Sequence, residues 1–139
     1  MLSGVEIFFL KEPASQDELA ITEIIRTYAH ALKERDHKIL LSLFDKEARI
    51  DSYTAGETVS VADFAKIIPR ALTPIVRVSF KAIVIKVISE RNAFMFGVTR
   101  YDYQNRLGRW HGRTWEMIKN NDKWYIISSK YNDFRPKKS

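Results

Sequence analysis

The chain contains no cysteine, which excludes disulfide crosslinks and thiolate metal sites. It is also poor in glycine and proline, with 5 and 4 among 139 residues, and it has no linker or low-complexity segment. No window approaches the roughly 18 apolar residues that a membrane-spanning helix needs. We therefore expect neither a disulfide framework nor a membrane span.

The apolar fraction of 45% over 139 residues is enough for one domain with a sizeable core. The N-terminal segment has one short apolar run interrupted by Glu6 and lacks the basic start of a signal peptide, so we expect a cytoplasmic protein. We divide the chain into an N-terminal extension (1–14), a single domain (15–134) and a basic tail (135–139). The apolar part of the extension either adds an edge strand or covers a pocket or partner.

The net charge of +6 raises the question of a nucleic-acid partner. About half of the excess lies in the tail, at Arg135, Lys137 and Lys138, and the other basic residues are interspersed with acidic ones. No nucleic-acid-binding motif accompanies them. We interpret the charge as a solvated surface and predict neither a nucleic-acid nor a membrane partner.

Helical patterns occupy the first half of the chain. Ser15 and Glu18 have the spacing of a capping box, and the residues after them place apolar side chains on one helical stripe up to about Leu32. A second helix is predicted over 37–44, with Asp36 as its cap. A third starts at 60–63, and Pro69 bends or ends it.

The second half of the chain is rich in β-branched and aromatic residues. A short strand over 49–53 and a turn at 54–57 precede the third helix. Four longer strands, over 76–89, 93–103, 109–119 and 123–131, are joined by tight polar turns, which is typical of an antiparallel meander. The order predicts an α+β fold in which three N-terminal helices pack on one face of a curved, mainly antiparallel sheet.

Several of the predicted strands carry bulky apolar residues on both faces. Phe80, Val84 and Ile88 alternate with Ile83, Ile85 and Val87 along one strand. Because the helices cover one face only, the other face needs a second cover. We therefore predict a homodimer that packs sheet against sheet.

Two stretches resemble a known superfamily. The segments Ile25–Asp36 (IRTYAHALKERD) and Leu43–Asp51 (LFDKEARID) look like the opening of nuclear transport factor 2-like domains, and Gly112–Ile127 looks like their last hairpin. The resemblance covers about residues 15–134 and includes the SnoaL-like and ketosteroid-isomerase-like branches. The resemblance implies a cone-shaped fold with a pocket between the first helix and the sheet. Members of this superfamily have many different functions.

The resemblance also implies candidate catalytic positions. Ketosteroid isomerases use a tyrosine on the first helix, which Tyr28 matches, and a carboxylate just after the first strand. Ser52 occupies that second position and Asp51 precedes it, so alternation along the strand allows both to point inward only if a bulge intervenes. The third catalytic position, which holds an acid in ketosteroid isomerases, falls near Arg113 or Thr114 in this chain.

The remaining candidates come from the residues themselves. His111 shares a predicted strand face with Arg113 and Trp115, whereas His30 and His37 have no metal-ligand spacing. An inward-facing Arg113 favours a carboxylate or other anion. We predict no metal and no cofactor. The predicted ligand-binding residues are Tyr28, Ser52, Tyr53, Tyr101, Arg113, Trp115 and Ser128, and the catalytic candidates are Tyr28, Asp51 and His111.

Three functions remain open at this point. The first is a small-molecule-binding domain without catalysis, with an aromatic pocket for a hydrophobic or weakly anionic ligand. The second is an isomerase, dehydratase or cyclase in which Asp51 or His111 transfers a proton and Tyr28 donates a hydrogen bond. The third is a homo-oligomeric assembly module.

Overall fold

The computed structural model describes residues 4–71 and 74–136. Three helices cover one face of a seven-stranded sheet, which confirms the predicted fold class. The helices are α1 (Gln16–Glu34), α2 (His37–Ser42) and α3 (Val61–Ala71). The strands are β1 (Val5–Phe9), β2 (Phe44–Ser52), β3 (Glu57–Ser60), β4 (Ile75–Val87), β5 (Asn92–Tyr103), β6 (His111–Asn120) and β7 (Lys123–Tyr131).

Helix α1 begins with the predicted capping box. The Ser15 hydroxyl accepts the backbone N–H of Glu18 at 3.1 Å, and the Glu18 carboxylate accepts the backbone N–H of Ser15 at 2.9 Å. The helix ends at Glu34, and the left-handed backbone of the cap residue Arg35 (φ 59°) lets the N–H of Asp36 donate to the Ala31 carbonyl at 2.8 Å. The apolar stripe faces the sheet, where Ile21, Ile25 and Ala29 are fully buried.

The sheet has the strand order β1-β4-β5-β6-β7-β2-β3. Strands β4 to β7 form the predicted antiparallel meander. Strand β2 pairs with β7 in parallel, and β1 pairs with β4 in parallel at one edge. Residues 5–9, which we assigned to an extension, thus form an edge strand of the sheet.

The segment after α1 differs from the prediction. Helix α2 ends at Ser42 and β2 begins at Phe44, so the predicted helix is too long and the predicted strand too short. A short apolar run such as 39–44 fits a helix and a strand equally well, which explains the error. Glu57, predicted as the end of a turn, and Ser60, predicted as a helix start, are the two ends of the edge strand β3, and α3 extends past Pro69 to Ala71.

A bulge in β7 changes which side chains face the helices. Met117 of β6 pairs with Ile126, but Glu116 pairs with Ser128, so Ile127 is an extra residue in β7. After the bulge the alternation is inverted, and Ser129 turns inward with 1% of its surface exposed. The inverted alternation also turns Tyr131 towards the helices.

Helix α1 is fixed to the β6–β7 hairpin by one carboxylate. Asp17 accepts a hydrogen bond from the indole nitrogen of Trp124 at 3.0 Å and from Lys119 Nζ at 3.2 Å. The bond from Trp124 has the larger effect, and the two bonds together lower the pKa of Asp17 below its usual value of 3.8.

Among the residues that the structure describes, no helix combines the length and the apolar character that a membrane crossing requires.

We expect Asp17→Asn to reduce the free energy of unfolding by about 1 kcal/mol at neutral pH, because the two bonds to the charged carboxylate are partly solvent-exposed. A carboxylate with a lowered pKa stabilises the fold above its unfolded-state pKa and loses that contribution as the pH falls through its folded-state pKa. The difference between the two proteins should therefore shrink below pH 3.8. Urea unfolding across pH measures it, with Glu12→Gln as the control, and a difference independent of pH would contradict the assignment.

Candidate functional site

A cavity of about 430 Å³ lies between α1, α3 and the concave face of the sheet. Tyr28 and Leu32 of α1 form one wall, and Phe64 and Ile67 of α3 form another. The sheet and the segments at the mouth contribute Asp51, Ser52, Tyr53, Thr54, Ile75, Thr99, Tyr101, Tyr103, Arg106, Leu107, Gly108, Arg109, His111 and Tyr131. The lining is mainly aromatic and aliphatic with a few polar groups, which is the usual composition of a small-molecule site.

The segment 104–110 forms part of the mouth and is held by a buried carboxylate. Asp102, 3% exposed, accepts the backbone N–H of Gly108 at 3.0 Å and pairs with Arg100. A Cβ atom at position 108 would collide with the carbonyl group of Tyr101, so the segment can lie this close only with glycine there. The segment places the exposed side chains of Arg106 and Arg109 at the cavity mouth.

Beneath the cavity lining lies a buried guanidinium group. Arg113 on β6 is 1% exposed. Its Nη1 donates to the Tyr101 hydroxyl at 3.0 Å, and its Nη2 donates to the Ser129 hydroxyl at 2.7 Å. The guanidinium carbon lies 4.1 Å from the centre of the Tyr131 ring, within cation–π range.

The charge of Arg113 has no carboxylate partner among the described residues. Burial raises the pKa of Tyr101 well above its usual value, and the neighbouring Tyr28 and Tyr131 add to the shift. Burial likewise raises the pKa of Tyr131, although Arg113 opposes the shift. The phenols therefore stay neutral, and the cluster carries one net positive charge.

Tyr28 lies next to this cluster on the cavity wall. It is 5% exposed, lines the cavity and is close enough to Tyr101 and Arg113 to affect their pKa values. A phenol oxygen that accepts one bond retains a single O–H to donate. The bond from Arg113 to Tyr101 thus leads from a buried cation to the cavity wall, which Tyr101 and its neighbour Tyr28 both line.

Asp51 has a structural role in β2. One carboxylate oxygen accepts the Thr58 hydroxyl at 2.6 Å and the other accepts the backbone N–H of Tyr131 at 3.1 Å. The residue therefore joins β2 to both neighbouring strands. Both Asp51 and Ser52 line the cavity, although Ser52 already accepts the backbone N–H of Ala55 at 3.1 Å.

A second polar group lies at the cavity mouth. His111 Nδ1 is 3.3 Å from Asp133 Oδ2, and the Tyr53 hydroxyl donates to Asp133 Oδ1 at 2.9 Å. The bonds from Tyr53 and His111 lower the pKa of Asp133, and burial with the nearby carboxylate raises the pKa of Tyr53 to about 12. With Nδ1 engaged by Asp133, Nε2 is the His111 atom left for proton exchange.

The predicted site residues fall into two groups. The cavity lining includes Tyr28, Asp51, Ser52, Tyr53, Tyr101 and His111. Arg113 lies behind the lining, as described, and Trp115 is fully buried with its ring 4.8 Å from that of Tyr28. Ser128 does not line the cavity, because the bulge at Ile127 turns Ser129 inward in its place.

Among the described residues, no group of three or more His, Asp or Glu side chains could hold a metal ion.

Sequence reasoning missed three residues of this site, namely Ser129, Tyr131 and Asp133. Ser128 was predicted as a ligand-binding residue in place of Ser129 and Tyr131, since nothing in the segment 123–131 marks the bulge. Asp133 follows the last strand, and its role depends on Tyr53, which is 80 residues away in the chain. The only available signal was an acidic residue close after a strand that ends near the predicted pocket.

Comparison with known proteins establishes the fold. No family model matches the chain, and neither does any curated protein. A nuclear transport factor 2-like protein of unknown function from Shewanella oneidensis superposes with a TM-score of 0.66 at 17% identity, over 82% of this chain and 97% of that one. A candidate ketosteroid isomerase from Shewanella frigidimarina gives a TM-score of 0.66 at 16% identity, over 79% and 92%.

A third solved structure is similar over most of its length. It is a candidate calcium/calmodulin-dependent protein kinase II association domain from Xanthomonas campestris, with a TM-score of 0.70 at 16% identity, over 86% of this chain and 89% of that one. At such identities the likeness concerns the fold. It confirms the resemblance seen in the sequence at that level: the chain has the fold of nuclear transport factor 2-like proteins.

Proposed function

We propose that this protein binds a small organic molecule in the cavity between α1 and the concave face of the sheet. The observation that carries the proposal is the cavity itself, whose volume of about 430 Å³ suits a ligand of one or two rings. Its aromatic lining provides apolar contact, and the hydroxyls of Tyr28 and Tyr101 provide hydrogen-bonding groups for orientation.

The proposal predicts that filling the cavity removes binding. Ile67→Trp places an indole on the wall formed by α3, and Ile24→Trp, on α1 outside the cavity lining, is the matched control. Native mass spectrometry of gently purified protein should show a bound small molecule in the wild type and in Ile24→Trp, and none in Ile67→Trp. Identical bound masses in all three proteins, or none in any of them, would contradict the proposal.

An enzyme that transfers a proton is the second candidate, and the pairing of His111 with Asp133 favours it. Asp133 would orient the ring so that Nε2 serves as the base, and Tyr28 would donate to the developing oxyanion. Asp51 is less suited to act as the base, because both of its oxygens are engaged between strands. The similarity to a candidate ketosteroid isomerase agrees with this reaction class.

This candidate predicts that His111→Gln slows hydrogen–deuterium exchange at carbon next to the carbonyl group of a bound ketone by about 100-fold. Proton NMR in deuterated water follows the exchange for a panel of small cyclic ketones. His30→Gln, an exposed position on α1, is the control. If the wild type exchanges none of the ketones faster than His111→Gln, the protein does not use this chemistry.

We also propose that two copies of the chain associate through the outer face of the sheet, the face opposite the helices. This outer face carries Val84, Phe94, Phe96, Val98, Ile118, Tyr125 and Ile127. Phe96 is 39% exposed and stacks on Phe94 with a centroid distance of 5.8 Å. Lys86 and Glu116 also lie on this face, opposite Phe94. A group of partly exposed apolar side chains on a sheet face is typical of an interface, and a candidate association domain shares this fold.

Charge placed on the outer face should therefore separate the copies. Phe96→Glu should sediment as a monomer, whereas the wild type and Ile39→Glu, an exposed apolar position on α2, should sediment as dimers. Sedimentation-velocity ultracentrifugation distinguishes the two masses. A monomeric wild type, or a Phe96→Glu variant that stays dimeric, would exclude this interface.

A further inference from the structure

The charge balance around the cavity deepens the proposed function, on which this inference rests. Arg113 is a full positive charge placed in the interior, and its described partners are two hydroxyls and an aromatic ring. A buried ion without a counter-ion is costly, because neutral partners replace only part of its hydration. A ligand with a negative charge would supply the missing partner.

We infer that the ligand of this cavity is an aromatic or alicyclic carboxylate, whose carboxylate group is held by the hydroxyls of Tyr28 and Tyr101 and balanced by the buried charge of Arg113. The guanidinium acts through the phenols and does not touch the ligand. Arg113 donates to the Tyr101 oxygen at 3.0 Å, which polarises the phenol and makes its O–H a stronger donor. Charge-assisted bonds of this kind favour an anionic acceptor over a neutral one.

The other charges around the cavity agree with this assignment. The acidic groups of the lining and the mouth already have partners, since Asp51 bonds to Thr58 and Asp133 bonds to Tyr53 and His111. Arg106 and Arg109 have no carboxylate partner among the described ion pairs, and both lie at the mouth. An anion entering the cavity therefore passes two cations at the mouth and approaches a third beneath the lining.

The aromatic lining determines the rest of the ligand. The lining includes the rings of Tyr28, Phe64 and Tyr103 and the aliphatic side chains of Leu32, Ile67 and Ile75. A small aliphatic acid would leave most of the cavity unfilled. A ring system with one carboxylate group uses both the apolar walls and the polar end of the cavity.

The test compares an acid with its uncharged isostere. We expect 2-naphthoate to bind the wild-type protein at least about tenfold more tightly than 2-naphthamide, as measured by isothermal titration calorimetry. Tyr101→Phe retains the ring but removes the hydroxyl next to Arg113, so it should lose most of the preference for the acid. Tyr125→Phe, on the outer face, is the matched control and should retain it.

Two further variants distinguish the interior charge from the charges at the mouth. Arg113→Gln should abolish the preference for the acid, and circular dichroism with thermal unfolding identifies any loss of the fold in that variant. The double variant Arg106→Gln/Arg109→Gln should lower the affinity for the acid by only about two- to threefold, because exposed charges are screened by salt. Salt screens a buried charge such as that of Arg113 much less, so the preference of the wild type for the acid should persist at high ionic strength.

Each outcome separates the inference from the proposed function. Equal affinities for the acid and the amide, both lost in Ile67→Trp, would leave the binding cavity intact and overturn the carboxylate inference. A preference that survives in Tyr101→Phe and in folded Arg113→Gln, but disappears in the double variant at the mouth, would overturn the role of Arg113. Failure of both compounds, and of a panel of ring acids and their amides, to bind the wild type would contradict the proposed function itself.

Discussion

The packing of Tyr28 against the sheet determines how α1 lies and where the cavity begins. The centre of its ring lies 4.8 Å from that of Trp115 and 6.0 Å from that of Phe80, both edge-on, and its phenol neighbours Tyr101 and Arg113. One side of the ring is thus core and the other is cavity wall. If this contact were lost, Asp17 and the buried stripe of α1 would still hold the helix on the sheet, but the cavity would lose the wall that carries the Tyr28 hydroxyl.

The features that sequence reasoning predicted well depend on local periodicity. The capping box at Ser15, the apolar stripe of α1 and the four-strand meander all follow from short-range patterns. The features it missed depend on pairing between distant segments. The bulge at Ile127 arises from the register of β6 against β7, and it exchanges Ser128 for Ser129 and turns Tyr131 inward. The expected position of the cavity and the choice of Tyr28 came from the family resemblance, whereas the polar partners beneath the cavity required the structure.

The buried guanidinium changes the interpretation of the broken isomerase pattern. Ser52 and Arg113 occupy positions where the resemblance leads us to expect acids, so the charge on that side of the cavity is positive rather than negative. Such a site is poorly suited to carboxylate base chemistry but well suited to holding an anion. The described residues show no hydrogen bond between the His111–Asp133 pair at the mouth and Arg113, although the rings of His111 and Tyr131 are in contact and Arg113 lies over Tyr131. Binding of an anion and proton transfer are therefore compatible within one cavity.

The central claim is that an organic anion enters the cavity with its charged end towards the phenols. The most direct measurement is a crystal structure of the protein grown with 2-naphthoate. The account predicts the ring between α1 and the sheet, with a carboxylate oxygen within hydrogen-bonding distance of the Tyr28 or Tyr101 hydroxyl. An empty cavity at saturating acid, or a ring inside with its carboxylate turned out towards Arg106 and Arg109, would contradict it.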